Sequence, residues 1–357
     1  MSVATAFEVK GWCPGALQPM PSGDGLIARV RPWCGAFTLM QARGLAEIAQ
    51  RLGNGDIDLT RRANLQVRGL GEESLPALHA GLDRLGLLDP DPETEAARNV
   101  MVGPLADAKV RAVAAQLSRA LARDRHVATL PAKFGWLVDG GGPLSIIGER
   151  ADVALYLTAR GMALRAGGRW LGGGSVEAAI ESAFGARLAL PETDLAPQPG
   201  RRRLGRLMGA TGIAAPFGRL EAAQLSALVA LAETAGASEI RLSPWRALYI
   251  DAVFEIPQQL GLIVDADDPL LRVDACPGAP ACGSATVETR NVARRLAASI
   301  FPGTIHVSGC AKGCARTAAA DLTLVGEGGR FGVVRNGTAR DPFARTIGDD
   351  ELAGLHG

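Results

Sequence analysis

Four of the six cysteines in this 357-residue chain fall into two close pairs, Cys276-x5-Cys282 and Cys310-x3-Cys314. The thiolate is the ligand form of cysteine, and two such pairs can converge on one centre. Structural zinc usually takes pairs two to four residues apart. The five-residue gap is wide for zinc, and a wider arc suits the larger [4Fe–4S] cube. Gly278, Pro280, Gly283, Gly309 and Gly313 let the backbone curl round a centre and aim N–H groups at its sulfurs. A helix is predicted near Ala285–Ala298, which puts Cys282 just before its positive end. Zinc and four unrelated buried thiols are the readings that spacing alone leaves open.

The cations form the second chemical signal. Only four of the 38 basic residues are lysines: Lys10, Lys109, Lys133 and Lys312. Where arginine is the default, a lysine marks a place that needs a compact ammonium, which singles out Lys133 and Lys312. Arg201-Arg202-Arg203 reads as a solvated linker or an anion site. Gly172-Gly173-Gly174-Ser175 lacks the Gly-Lys-Ser/Thr of a phosphate loop and reads as a capped turn. No dinucleotide fingerprint appears, so electrons are expected from a separate reductase. The basic residues nearly cancel 37 acidic ones, giving +1, so no nucleic-acid or membrane partner is implied. An apolar share of 47% supports a large core. The start, Met1 to Pro14, reads as no signal peptide, and no stretch reaches the roughly 20 apolar residues of a membrane span. The chain therefore reads as cytoplasmic, where thiols stay reduced.

The elements that must position these groups are repeated. Sliding the chain by 183 residues aligns Gly35–Leu65 with Gly218–Leu248, with eight identities in 31 positions. In each copy a helix is predicted (Phe37–Leu52, Leu220–Ala235), followed by strands at Asp56–Thr60 and Asn64–Gly69, or Glu239–Ser243 and Ala247–Ala252. Second helices follow at Leu75–Leu85 and, shorter, at Pro257–Gly261. With an initial strand at Leu26–Arg31, each copy is an α+β unit of ferredoxin-like type. After the first copy, a helix is expected at Lys109–Arg123. A meander is expected at Phe134–Val138, Ser145–Ile147, Val153–Leu157 and Met162–Ala166. After the second copy, strands are expected at Thr304–Val307, Leu322–Val325 and Phe331–Val334. Leu188–Gly205, rich in proline, reads as the linker between halves.

Asp274-Ala275-Cys276-Pro277-Gly278-Ala279-Pro280-Ala281-Cys282-Gly283 and His306-Val307-Ser308-Gly309-Cys310-Ala311-Lys312-Gly313-Cys314 resemble the cluster motifs of the sulfite/nitrite reductase superfamily. Arg62-Ala63-Asn64-Leu65-Gln66-Val67-Arg68-Gly69, Ala97-Arg98-Asn99-Val100 and Leu130-Pro131-Ala132-Lys133-Phe134 resemble its first-half motifs. The resemblance implies a duplicated α+β fold: two ferredoxin-like subdomains (1–90 and 200–265) and two mixed α/β cluster and tetrapyrrole modules (91–190 and 266–357), related by a pseudo-twofold. It also implies a [4Fe–4S] cluster on Cys276, Cys282, Cys310 and Cys314, beside a tetrapyrrole.

The reductases carry a second lysine two residues after the first, and here that position is Gly135. Cys13-Pro14-Gly15, Pro19-Met20-Pro21-Ser22-Gly23-Asp24-Gly25-Leu26, Asp139-Gly140-Gly141-Gly142 and Ser243-Pro244-Trp245-Arg246 instead resemble the precorrin-3B synthase branch. That branch oxidises its tetrapyrrole as a substrate rather than binding sirohaem. The resemblance implies a monooxygenase of cobalamin biosynthesis: precorrin-3A, dioxygen, NADH through a partner reductase, and a mononuclear non-haem iron. Lys133 is the expected catalytic residue. Arg31, Arg62, Arg98 and Lys133, then Arg29, Arg68, Arg246 and Lys312, are the expected partners of the substrate carboxylates. No two-His-one-carboxylate spacing marks an iron site among His79, His126, His306 and His356. His306 reads as structural or as a ligand. Cys13 reads as a buried thiol or a group facing substrate or iron, and Cys34 as core. A sirohaem sulfite or nitrite reductase is the competing reading, and a non-enzymatic iron–sulfur electron carrier is the third.

Overall fold

The computed structural model describes residues 13–131, 133–299 and 301–355. The expectations placed on Met1–Trp12, Lys10, Ala132 and His356 lie outside them. The chain divides into two compact units. The larger holds Leu26–Val264 with the segment that ends at Met20, and the smaller holds Asp265–Gly357 with Pro21–Gly25.

The larger unit contains both repeats, apart from the Pro21–Gly25 tip of the first. The first runs through β1 (Met20–Ser22), β2 (Gly25–Val30), β3 (Ala36–Thr38), α1 (Leu39–Leu52), β4 (Asp56–Leu59), β5 (Leu65–Leu70) and α2 (Leu75–Arg84). Thr38 and Gln41 close a capping box on α1, which fixes where that helix starts. Leu39, Ala42, Leu45, Ala46, Ile48 and Ala49 form its buried face. An α/β module follows: α3 (Pro92–Ala97), β6 (Val100–Val102), α4 (Ala108–Arg123), β7 (Trp136–Asp139), β8 (Val153–Thr158), β9 (Gly161–Ala166), β10 (Arg169–Gly172) and α5 (Val176–Ala183). The second repeat is β11 (Gly205–Leu207), β12 (Ala210–Ala214), β13 (Arg219–Glu221), α6 (Ala222–Thr234), β14 (Glu239–Leu242) and β15 (Ala247–Ile250).

The repeats exchange strands. Their sheets run β1-β2-β5-β4-β13 and β11-β12-β15-β14-β3, so each copy supplies an edge strand to the other. Helices α1 and α6 pack together over one continuous apolar core. Even the strained backbone repeats. Cys34 and Ala63 have φ of 52°, and Phe217 and Arg246, each 183 positions later, have φ of 56°. Such left-handed conformations cost non-glycine residues about 1–3 kcal/mol each. Their recurrence shows that the turns were duplicated with the strands.

The smaller unit carries β16 (Val273–Ala275), α7 (Arg290–Ala297), β17 (Ile305–Ser308), β18 (Ala320–Glu327), β19 (Arg330–Gly337) and β20 (Thr346–Ile347), in the sheet order β16-β17-β18-β19-β20.

Several local expectations change. Ser145–Ile147 is not a strand, because Asp139 takes the Ile146 N–H and Gly200 donates to the Ser145 carbonyl at 2.8 Å. The first module is not a simple meander: β6, β7 and β8 are parallel, and only β8, β9 and β10 alternate. The helix after Cys282 starts at Arg290, leaving a loop that wraps the cysteine instead of a helix end that faces it. Pro257–Gly261 holds one 3-10 turn, Gln258–Leu260. The 188–205 linker is extended but docked, with the Gly172 N–H on Pro191 O at 2.8 Å and a bridge from Leu171 to Glu192. Ser175 caps α5 by accepting from the Ala178 N–H, as a capped turn requires.

Candidate functional site

The four paired cysteines lie in the smaller unit. β16 and β17 are parallel and adjacent, with Ala275 opposite Val307. Cys276 therefore leaves the carboxyl end of one strand beside the Ser308-Gly309-Cys310 exit of its neighbour. The Gly309 N–H donates to Cys276 Sγ at 3.2 Å. Thr289 Oγ1 donates to the Cys276 carbonyl at 2.6 Å, and Ser308 Oγ to the Cys310 carbonyl at 2.7 Å. An ion pair of 3.1 Å joins Asp274, just before the first motif, to Arg316, just after the second. Close glycine contacts seat the loops: a Cβ on Gly309 would lie 2.6 Å from Ala285 Cβ, and one on Gly278 2.6 Å from Thr289 Oγ1.

All four sulfurs share one electrostatic environment. Desolvation first, and the other thiols next to it, push Cys310 up and Cys314 up to about 11, while Lys312 opposes both shifts. Cys310 and Cys314 thus hold their protons to higher pH when no cation is near, and a polycationic core would release them. Among the described residues, no three His, Cys, Asp or Glu side chains converge tightly enough for a single metal ion. Backbone N–H groups reach two of the thiols, Gly309 at Cys276 and Lys312 at Cys310. Four thiols with N–H groups turned to their sulfurs are a donor set that fits an iron–sulfur core. Cys276 is buried and Cys314 exposed, so the set has an inner and an outer member.

The cationic candidates of the larger unit cluster around β2. Arg29 keeps Nε and Nη2 on Gln66 Oε1, at 3.3 and 2.9 Å. Burial, then the positive field of Arg31 and of Arg62, lowers its pKa to about 10, and a contact with Cys13 opposes the fall. Arg31 is 5% exposed and is also pushed down by burial. Its Nη1 lies 3.0 Å from Glu95 Oε1, yet Nε and Nη1 make no aligned hydrogen bond. Glu95 points instead at the N–H groups of Ala16 and Leu17, at 2.5 and 3.1 Å. Arg31 therefore keeps buried donor capacity beside two other guanidiniums.

Other candidates have internal tasks. Arg98 binds Asp89 through Nε and Nη2 at 2.7 and 2.8 Å and lies 3.7 Å over the Trp33 ring. It also donates to the carbonyls of Arg31 and Pro32, at 3.3 and 3.4 Å, so it positions the Arg31 loop rather than standing open. Arg68 is 2% exposed and paired to Asp58 at 3.1 Å. Arg62 donates to the carbonyls of Lys133 and Phe134, holding the lysine loop. Lys133 itself is exposed. At Gly135 a Cβ would sit 3.7 Å from Arg62 Nη2 and Asp152 Oδ2, with no clash. A Cβ at this position is thus not excluded. Arg246 covers Gly218, and Lys312 lies between Cys310 and Cys314. His306 is fully buried within β17 and His79 bonds Ala16 O at 2.9 Å.

Sequence reading overlooked Asp89, Glu95 and Thr289, which orient the named residues. Asp91-Pro92, a helix-start signature, was the available pointer to α3 and hence to Glu95.

The described residues contain no helix long and apolar enough to cross a membrane. The two repeats match the family model for the nitrite/sulfite reductase ferredoxin-like half domain at residues 18–85 and 209–253. The solved structure of the Mycobacterium tuberculosis NirA protein superposes with a TM-score of 0.68, at 23% identity, over 92% of this chain and 79% of that one. The chain is an oxidoreductase built on nitrite/sulfite reductase ferredoxin-like half domains. A ferredoxin–nitrite reductase of Synechococcus elongatus is 26% identical, covering 84% of this chain and 76% of its own. A precorrin-3B synthase of Sinorhizobium is 31% identical, over 92% of this chain and 83% of the relative. The chain belongs to the precorrin-3B synthase family.

Proposed function

We propose that this enzyme converts precorrin-3A to precorrin-3B in cobalamin biosynthesis, as a dioxygen-dependent monooxygenase of the cytoplasm. One oxygen atom enters the macrocycle at a meso carbon, a ring-A acetate closes a lactone, and the second oxygen atom leaves as water. NADH supplies the two electrons through a partner reductase. Cys276, Cys282, Cys310 and Cys314 hold a [4Fe–4S] cluster, which when bound passes electrons singly. A non-haem iron is part of this reading, but no residue set is assigned to it.

The observation that carries the substrate reading is Arg31: two buried donors without aligned hydrogen bonds, beside Arg29, which also feels the charge of Arg62. Buried guanidinium donors left without aligned acceptors are costly. A macrocycle fringed with acetates and propionates supplies the compensating anions, and bidentate pairing with Arg31 orients it. Arg62 sets the height of the Lys133 loop, and Lys133 adds a mobile ammonium at the rim. Gly135 supports substrate turnover over reduction of sulfite or nitrite, since the second ammonium for a small anion is missing.

The deciding experiment incubates anaerobically purified protein with precorrin-3A, then admits dioxygen with a reductant. Precorrin-3B formation, with a spectrum of cluster absorption alone, is the expected result. A bound sirohaem chromophore overturns the reading in favour of the reductase. A loaded cluster with no turnover favours an electron carrier.

A further inference from the structure

The tip of the β1–β2 hairpin, Pro21–Gly25, belongs to the smaller unit with the cysteine loops. It lies against the loop that carries Cys282. Ser22 Oγ donates to the Ala281 carbonyl at 2.7 Å. A Cβ on Gly23 would lie 2.2 Å from the Pro280 carbonyl oxygen and 3.0 Å from the N atoms of both Cys282 and Gly283. The obstacle is backbone, which cannot swing aside as a side chain can. Gly25 has φ of 113° and serves the turn itself, whereas Gly23 has no left-handed φ. The demand for glycine at 23 therefore comes from the contact alone.

Cys276 and Cys282 are supported differently. Cys276 is buried, follows a strand directly and is fixed through Thr289 and Gly309. Cys282 is half-buried in a loop, and the helix that follows begins only at Arg290. Ser22 and Gly23 press on the peptide units immediately before and after it.

We propose that Ser22 and Gly23 are positioning residues that clamp the Pro280–Gly283 loop, set the place of the Cys282 sulfur and close that side of the centre to water and dioxygen. The inference rests on the assignment of the four cysteines as cluster ligands. Solvent access and the hydrogen-bonding shell tune an iron–sulfur centre, so a loosened clamp changes its potential and its lifetime in air.

The test uses the full chain, reconstituted anaerobically with iron and sulfide, as wild type, Gly23→Ala, Ser22→Ala and Ser22→Thr. Iron and sulfide are counted, the reduced centre is examined by electron paramagnetic resonance and redox titration, and loss of visible absorbance in air is timed. Gly23→Ala is expected to bleach about tenfold faster and Ser22→Ala about threefold faster, the former from backbone overlap and the latter from one lost hydrogen bond. Both should alter the resonance spectrum and the midpoint potential, and Ser22→Thr should restore wild-type behaviour. Should Gly23→Ala fail to fold, Ser22→Ala, which adds no bulk, decides alone. Wild type that takes up no iron and sulfide defeats the ligand assignment. A loaded wild type with variants of unchanged lifetime, spectrum and potential defeats the clamp while leaving the ligands standing.

Discussion

The module β6–β10 and the module β16–β20 have the same strand order and directions, but their strand ends hold different chemistry. In both, three parallel strands lead into antiparallel ones. Val102 lies opposite Val138, as Ala275 lies opposite Val307. The residue after the first strand donates to the last apolar residue of the second in each case. Gly103 donates to Val138 at 3.2 Å, and Cys276 donates to Val307 at 3.4 Å. In the smaller unit the space above this bond holds the Cys276 sulfur, with the Gly309 N–H turned toward it. In the larger unit it holds the Asp139 carboxylate, which lies 3.5 Å from where a Gly103 Cβ would be and takes the N–H groups of Gly141 and Ile146. The carboxyl ends of parallel strands are natural binding crevices. One copy leaves its N–H groups for sulfur, and the other satisfies them with its own side chain.

The largest effect that would break this contrast is on the cluster side. Cys276→Ala is expected to remove all iron and sulfide from reconstituted protein, as is Cys310→Ser. Full cluster content in either variant would refute the ligand assignment. Asp139→Ala tests the other side. It strands the buried Ile146 N–H and the part-buried Gly141 N–H and is expected to cost about 3 kcal/mol in urea unfolding, with cluster content unchanged. A cost near zero would mean that Asp139 does not seal its crevice. Third, Lys133→Ala should weaken precorrin-3A binding about tenfold without loss of iron, because one charge-assisted contact is lost. Unchanged affinity and rate would remove Lys133 from the substrate site.

The smallest effect concerns pH. Burial raises the Asp139 pKa above its ordinary value, with its hydrogen bonds opposing the shift. The native state therefore holds this proton to higher pH than the unfolded chain does. The corresponding stability is complete below the unfolded pKa and is lost as pH rises through the native one. Asp139→Asn cannot titrate, so wild type should lose ground to the variant between about pH 4 and about pH 7. Parallel urea midpoints of the two proteins at both pH values would contradict the shift.

Much of the scaffold was legible because it depends on local pattern. The apolar spacing of α1 and α6, the Gly53 and Gly236 stops and the 183-residue offset placed both repeats. The cysteine pairs were legible for the same reason, since ligand identity and loop glycines lie within a short stretch. What escaped depended on distant partners. Ser145–Ile147 has a strand's composition, but Asp139 and Gly200 claim its backbone. Nothing local says that β3 pairs with β14 rather than with its own sheet.

The sequence by itself determined the duplication, the ferredoxin-like elements, the two cysteine pairs and the absence of a lysine at 135, because each rests on residue type and short-range spacing. Only the tertiary structure decided which cations are internal. Arg31 and Arg98 look alike in the chain, yet Asp89 takes the Arg98 guanidinium in a bidentate pair while Glu95 turns to backbone N–H groups and leaves Arg31 with buried donors to spare. The reason is geometric. A guanidinium's role is set by whether a carboxylate reaches it in alignment, and folding, not spacing, brings the two together.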